Sequence, residues 1–263
     1  MILIKIGGGA SINLPGIIRD LSQLQEKYII VHGANAARDK LAQQLGLEKE
    51  VVTSVSGFSS VLTDDNAIDL IMMSYAGLVN KRIVALCQQH GINAVGLSGL
   101  DGRTIQGKKN QGFRVQENGK VRIVRDQSGK SKTINKKLLN LLMSNGYTPV
   151  LCIPIIGEDG EPLNSENDDI VHTLQNAFKA EKVIHLIEAP GLLEKPSDES
   201  SLILKLSQKE LSERIENSKD RMKRKLYSIS KLFESGVKQV VISDGRSEHP
   251  VTDALSQKGT VIS

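Results

Sequence analysis

The chain has 263 residues, 39% of them hydrophobic and 24% charged, with a net charge of +4; that balance fits one large α/β domain or two closely joined lobes. Aromatic residues make up only 3% and tryptophan is absent, which argues against modules that bind nucleic acid by stacking bases on aromatic rings. The apolar run at residues 1–6 is too short for a signal peptide or a membrane span, and Cys87 and Cys152 stand far apart without CxxC spacing, so both read as buried small hydrophobes in a reducing, cytoplasmic protein.

Short apolar runs alternate with amphipathic stretches along the chain. Residues 2–6 predict a strand, followed by a glycine turn and an amphipathic helix through Leu21 and Leu24. A second strand at 28–31 runs into His32-Gly33 and a helix over 36–45. Thr63-Asp64-Asp65 offers capping side chains and opens a long helical region through Lys81 and Val84. A buried strand over 94–97 ends in Ser98-Gly99, and Asn118-Gly119 separates alternating segments at 113–115 and 121–124, a hairpin signal. Beyond it the pattern predicts a helix over 134–143, a strand over 149–153, a helix over 167–178 and a strand over 183–187. A helix over 221–233 and a strand over 237–242 follow. Apolar strands spaced by helices indicate a mostly parallel sheet covered on both faces.

Charge is unevenly spread. Between Arg103 and Lys137 eleven basic residues face only Glu117 and Asp126, a local net of +9 that leaves −5 for the rest of the chain. Such a segment is either a solvated face or a surface that steers an acidic partner.

Three strand ends share a chemistry. Lys5-Ile6-Gly7-Gly8-Gly9, His32-Gly33 and Ser98-Gly99 each follow an apolar run, and glycines there let backbone N–H groups approach an anion beside a helix N-terminus. Neither a Walker loop nor a GxGxxG fingerprint is present. Lys5 interrupts an apolar strand, so its ammonium needs a partner or a ligand, unless it snorkels from an edge. Met222-Lys223-Arg224-Lys225 gathers cations near a helix start, against the dipole. Asn164-Ser165-Glu166-Asn167-Asp168-Asp169 is a polar loop entering a helix, where one carboxylate is expected to cap.

In this order the pieces resemble the amino acid kinase family and its N-acetylglutamate kinase branch over nearly the whole chain. The most specific stretches are Gly77-Leu-Val-Asn-Lys81, Gly96-Leu-Ser-Gly-Leu-Asp-Gly102 and Pro190-Gly-Leu-Leu193. Arg221-Met-Lys-Arg-Lys225 and the tail from Asp244-Gly-Arg to Gly259-Thr-Val-Ile262 look most like the sub-branch that phosphorylates aminoadipate or glutamate carried on a small acidic protein. The resemblance implies an α/β three-layer sandwich around a mostly parallel sheet, with residues 1–164 as the substrate lobe and 165–263 as the nucleotide lobe of one continuous domain. It implies ATP and Mg²⁺, the ion being held by phosphates and water, and a cytoplasmic homodimer engaging neither nucleic acid nor membrane.

Carried over by position, Lys5 and Lys225 match the lysines flanking the transferred phosphoryl, and Asp168 matches the carboxylate that orients them. Gly7, Gly8 and Gly33 match the phosphate-binding turns. Ala34, Asn35, Val61 and Asn164 match substrate-side positions, and Glu188, Gly191 and Leu192 the nucleotide-side loop. Two departures stand out. Ala34-Asn35 replaces the family's further glycines after His32-Gly33, and Val61 stands where the family places an arginine that clamps the substrate's α-carboxylate. Valine offers neither charge nor hydrogen bond, so another basic residue, from the 103–137 segment, has taken over or the substrate lacks that group. The alternatives are an N-acetylglutamate kinase or a relative acting on another carboxylate, and a regulatory binder on the same fold.

Overall fold

Period-two alternation in the first strand defines both faces of the molecule, whose computed structural model describes residues 1–47, 51–53, 55, 59–117, 120–218 and 220–263. Eight strands form one sheet: β1 (Ile2–Ile6), β2 (Tyr28–His32), β3 (Ala94–Ser98), β4 (Thr148–Cys152), β5 (Lys182–Ile187), β6 (Lys205–Leu206), β7 (Gln239–Asp244) and β8 (Thr260–Ile262). Their order from edge to edge is β6-β8-β7-β5-β1-β2-β4-β3. Neighbours are parallel throughout except β7 and β8.

The helices are α1 (Leu14–Ser22), α2 (Asn35–Leu45), α3 (Asp65–Gln89), α4 (Lys136–Ser144), α5 (Asn167–Phe178), α6 (Gln208–Asn217), α7 (Asp220–Glu234) and α8 (Pro250–Leu255). Ile2, Ile4 and Ile6 pack on one side of the sheet with Ile17, Ile18 and Leu21 of α1, Ile83 and Cys87 of α3, and Val251 and Ala254 of α8. Leu3 faces the other side, in a cluster with Ile170, Val171 and Leu174 of α5 and Leu226, Ile229 and Leu232 of α7. Each such aliphatic side chain contributes about 1.5–3 kcal/mol when fully buried, so two apolar layers around one sheet account for the three-layer sandwich. Lys5, two residues after Leu3, shares its face. β1 and β5, from the two halves of the sequence, are direct neighbours, so the sheet is continuous across the boundary expected at residue 165.

Helix α3 begins where the capping signal predicts, with Asp64 Oδ1 accepting from the N–H of Ala67 at 2.8 Å. Its middle turns, Met72–Val79, widen into a π-helix, a feature often found at functional sites. By length and apolarity this helix would suffice to cross a membrane, but Ile71, Tyr75, Ile83 and Cys87 are buried against the sheet.

Several boundaries differ from expectation. Leu24 lies beyond α1. Ile134 ends a strand, Gly129–Ile134, and α4 starts at Lys136 because Asn135 caps it, accepting from the N–H of Leu138. That strand joins Ile105–Lys109, Ile155–Ile156 and Pro162–Leu163 in a second sheet. The expected hairpin forms from Phe113–Glu117 and Lys120–Val124; its turn, Asn118-Gly119, lies outside the described residues. A further hairpin pairs Val51–Thr53 with Ser59–Val61.

Candidate active site

The ends of β1 and β2 are stitched together through glycine. The N–H of Gly33 donates to the carbonyl of Ile6 at 2.9 Å, and the N–H of Ala36 to that of Gly8 at 2.8 Å. A Cβ on Gly8 would stand 2.6 Å from the backbone nitrogens of Ala34 and Asn35, and one on Gly33 would stand 2.8 Å from the nitrogen of Gly8. The two turns therefore touch backbone to backbone at the N-terminus of α2, a geometry that gathers N–H donors for an anion. Gly7 does not contribute a free donor, since its N–H is bonded to the carbonyl of Leu186 at 2.8 Å.

Three charged residues meet beside this cradle. Lys5 Nζ donates to Asp168 Oδ1. Asp168 sits in the first turn of α5, where the helix dipole favours a carboxylate. Lys225 lies on the sheet-facing stripe of α7, one turn before buried Ile229. Burial works to raise the pKa of Asp168, but the positive charge and hydrogen bond of Lys5, with the charge of Lys225, outweigh it and hold the carboxyl below its usual range. Burial and the nearby Lys5 push Lys225 down to about 8, against the pull of Asp168. Two ammonium groups and one carboxylate leave a local charge of +1, suited to a phosphate.

Of the residues expected on the substrate side, Asn35 opens α2 and its Oδ1 accepts from the hydroxyl of Tyr75, which is buried in the π-helical stretch of α3. Asn164 donates through Nδ2 to Thr63 Oγ1 at 3.2 Å, and its N–H bonds the carbonyl of Gln127 at 2.8 Å. Thr63 is fixed in turn by Asp126, whose Oδ2 accepts from its N–H at 3.1 Å. Ala34 is buried at the start of α2. Val61 closes the strand preceding this point; its side chain lies outside the described residues.

Of the residues expected on the nucleotide side, Glu188 lies against the glycine turn at Gly9. Its Oε1 accepts from the N–H and hydroxyl of Ser11 at 2.8 and 2.5 Å, which lowers its pKa. Gly191 abuts Thr260, and the N–H of Leu192 donates to Thr260 Oγ1 at 2.8 Å. Leu192 is buried in the core and anchors the loop, while Glu188 lies against Gly9 of the glycine turn. Among the described residues there is no cluster of three metal-ligating side chains.

Sequence reasoning missed the scaffold behind these groups. His32 is fully buried; its Nδ1 meets the carbonyl of Gly33 at 3.1 Å and its Nε2 the amide of Asn80 at 3.2 Å. Lys81 Nζ bonds Asn80 Oδ1 and the carbonyl of Gly96. A Cβ on Gly96 would fall 1.9 Å from Asn80 Oδ1. The two most specific sequence stretches, 77–81 and 96–102, are thus one interlock that pins the end of β2. His185 was also missed, hidden in an apolar strand reading.

Glycine turns at the carboxyl ends of parallel strands, with Lys5, Asp168 and Lys225 gathered beside them, stand where open α/β sheets bind ligands, and their charge suits a phosphotransferase of the α/β class. Residues 1–244 match the amino acid kinase family. Over its full length the chain is 39% identical to the [LysW]-aminoadipate kinase of Thermus thermophilus, covering all of that protein, and 38% identical to the [LysW]-aminoadipate kinase of Deinococcus radiodurans, covering 91% of it. The crystal structure of N-acetylglutamate synthase from Neisseria gonorrhoeae superposes with a TM-score of 0.77 at 20% identity, over all of this chain and 59% of that one. The chain belongs to the amino acid kinase family and is a phosphotransferase, as its relatives are.

Proposed function

We propose that the enzyme transfers the γ-phosphoryl group of ATP to the side-chain carboxylate of 2-aminoadipate, or of glutamate, held through its amino group on a small acidic carrier protein. The product is an acyl phosphate of lysine or arginine biosynthesis. The observation that carries the proposal is the convergence of Lys5, Asp168 and Lys225 on the glycine cradle of Gly8 and Gly33. In phosphoryl transfer charge spreads over the moving group and its leaving oxygen, and fixed cations stabilise it. Lys5 and Lys225 supply that charge, and Asp168 holds them in place. No general base is needed, because the attacking carboxylate is already ionised. When bound with the nucleotide, Mg²⁺ would supply further charge neutralisation of the phosphates.

Residues 1–164 contribute most of the acceptor side and 165–263 most of the nucleotide side. The missing clamp at Val61 is replaced by Lys109 and Arg125. Both line a cavity of about 270 Å³ beside Thr63, whose three carboxylates are tied up internally, Asp64 by the N–H of Ala67, Asp65 by the side-chain amide of Gln127 and Asp126 by the N–H of Thr63.

A carrier is favoured by two features of the basic segment. Lys108 and Lys130 stand directly opposite each other on paired strands, both exposed, an arrangement that is unfavourable alone and relieved by an acidic partner. On the neighbouring hairpin Val121 and Ile123 are each 58% exposed, apolar surface beside the positive charge. A homodimer is assigned to edge strand β3 and the exposed Met73 and Leu78 of α3 beside it, in a cytoplasmic enzyme. Raising the salt concentration should reduce kcat/KM steeply for a carrier-linked acceptor and little for a free one. Equal sensitivity would remove the carrier from the account.

A further inference from the structure

His185 occupies the middle of β5, in register with Lys5 on β1 and Ile242 on β7. Adjacent in-register residues of a parallel sheet share a face, so the imidazole lies beneath the charged cluster, 2% exposed. Its Nδ1 stands 3.8 Å from Asp168 Oδ1, the same oxygen that receives Lys5. Its Nε2 is buried with no partner among the described residues. A buried polar atom left unpaired is costly, and a leucine or phenylalanine would pack there without that cost. The charged groups facing the ring are Lys5 from β1, Asp168 from α5 and Lys225 from α7; its neighbour on β7 is apolar. Burial, reinforced by Lys5, depresses the pKa of His185 to about 3, so the ring is neutral and carries a single N–H, assigned to Nδ1 because that atom faces the carboxylate.

We propose that His185 is a positioning residue for Asp168, a reserve donor that takes over Oδ1 when Lys5 turns to the phosphoryl group. At 3.8 Å the contact is longer than a hydrogen bond. It has room to close once Lys5 no longer saturates that oxygen, as contacts in an active site often tighten only in the reacting complex. Asp168 would then stay fixed while Lys5 follows the moving charge, and a neutral donor does this without adding a third cation. The proposal rests on the phosphotransferase reading of Lys5, Asp168 and Lys225.

The test compares His185→Asn, whose amide nitrogen replaces Nδ1, with His185→Gln, whose amide nitrogen replaces Nε2, and with His185→Phe. Acyl phosphate formation on carrier-linked 2-aminoadipate and ATP affinity are measured for each. His185→Asn should keep kcat within about threefold of the parent, whereas His185→Gln and His185→Phe should lose about 10- to 100-fold, the value of one hydrogen bond to a charged group. The Kd for ATP should stay within about twofold throughout, since the effect belongs to the reacting complex. Equal losses for Asn and Gln, an unaffected Phe variant, or ATP affinity falling in step with kcat would each overturn the role of His185 alone. A parent enzyme that phosphorylates no carboxylate would instead overturn the reading beneath it.

Discussion

Replacing Asp168 with asparagine separates the two jobs assigned to the charged cluster. Asparagine keeps the shape and one acceptor oxygen but removes the charge that Lys5 meets. The side chains of Lys5 and Asp168 are 17% and 27% exposed, between the limits of an exposed pair, about 0–1 kcal/mol, and a buried one, about 3–5 kcal/mol when one partner is lost. A loss of about 2–3 kcal/mol follows, which for a domain of this size lowers Tm by about 4–12 °C. The local charge rises from +1 to +2, so ATP should bind as tightly as before or more tightly. Turnover should nevertheless fall about 100-fold or more, because the lysines lose the group that aims them. Differential scanning fluorimetry, calorimetric ATP titration and coupled ADP release read the three quantities separately. If kcat stays within about threefold of the parent, or ATP affinity collapses with it, the assignment of Asp168 as an orienting group is wrong.

Lys225 must be protonated to serve the phosphate, and its pKa of about 8 lies below that of an ordinary lysine. ATP affinity of the free enzyme should therefore weaken as pH rises through about 8, and binding near that pH should take up protons, visible as a buffer-dependent calorimetric enthalpy. Gly8→Ala would bring a Cβ to 2.6 Å from the nitrogens of Ala34 and Asn35, so ATP binding should be lost with the fold intact by circular dichroism. Arg125→Gln should raise KM for the acceptor about tenfold with KM for ATP unchanged, the pattern of one lost carboxylate contact. Buried His32 and His185 have pKa values of about 4 and 3 in the fold and near 6.5 when unfolded. Their contribution is intact above pH 6.5 and declines as pH falls toward 4, because only the unfolded chain takes up those protons; Tm measured across that range should drop.

The parts of the fold legible in the sequence are those where pattern and burial agree. β1 is apolar apart from Lys5 and stops at glycine, and α5 begins and ends where the pattern places it, its far end set by Lys179 at φ 52°. Strands Ile105–Lys109 and Gly129–Ile134 escaped because they carry lysine, glutamine, serine and glycine on a half-solvated sheet, and so read as a run of charge. Helix α6 escaped although Ser207 and Glu210 form a reciprocal capping box, a signal the sequence does contain. Within the site, single residues of unusual type in a regular element, such as Lys5, were visible. His185 was not, since a histidine in an apolar strand is ordinarily a satisfied core residue, and only its register against Lys5 and its distance from Asp168 reveal its place. The interlock of Asn80 with His32 and Gly96 likewise depends on contacts between distant parts of the chain.

Carboxylate phosphorylation can be trapped by incubating the protein with ATP, Mg²⁺ and carrier-linked 2-aminoadipate in the presence of hydroxylamine and mapping the product by mass spectrometry. A hydroxamate should form on the side-chain carboxyl of the linked aminoadipate, one-for-one with ADP, and should be lost in Lys5→Ala and Lys225→Ala. ATP bound tightly but no hydroxamate on linked or free aminoadipate, glutamate or N-acetylglutamate would contradict the proposed activity.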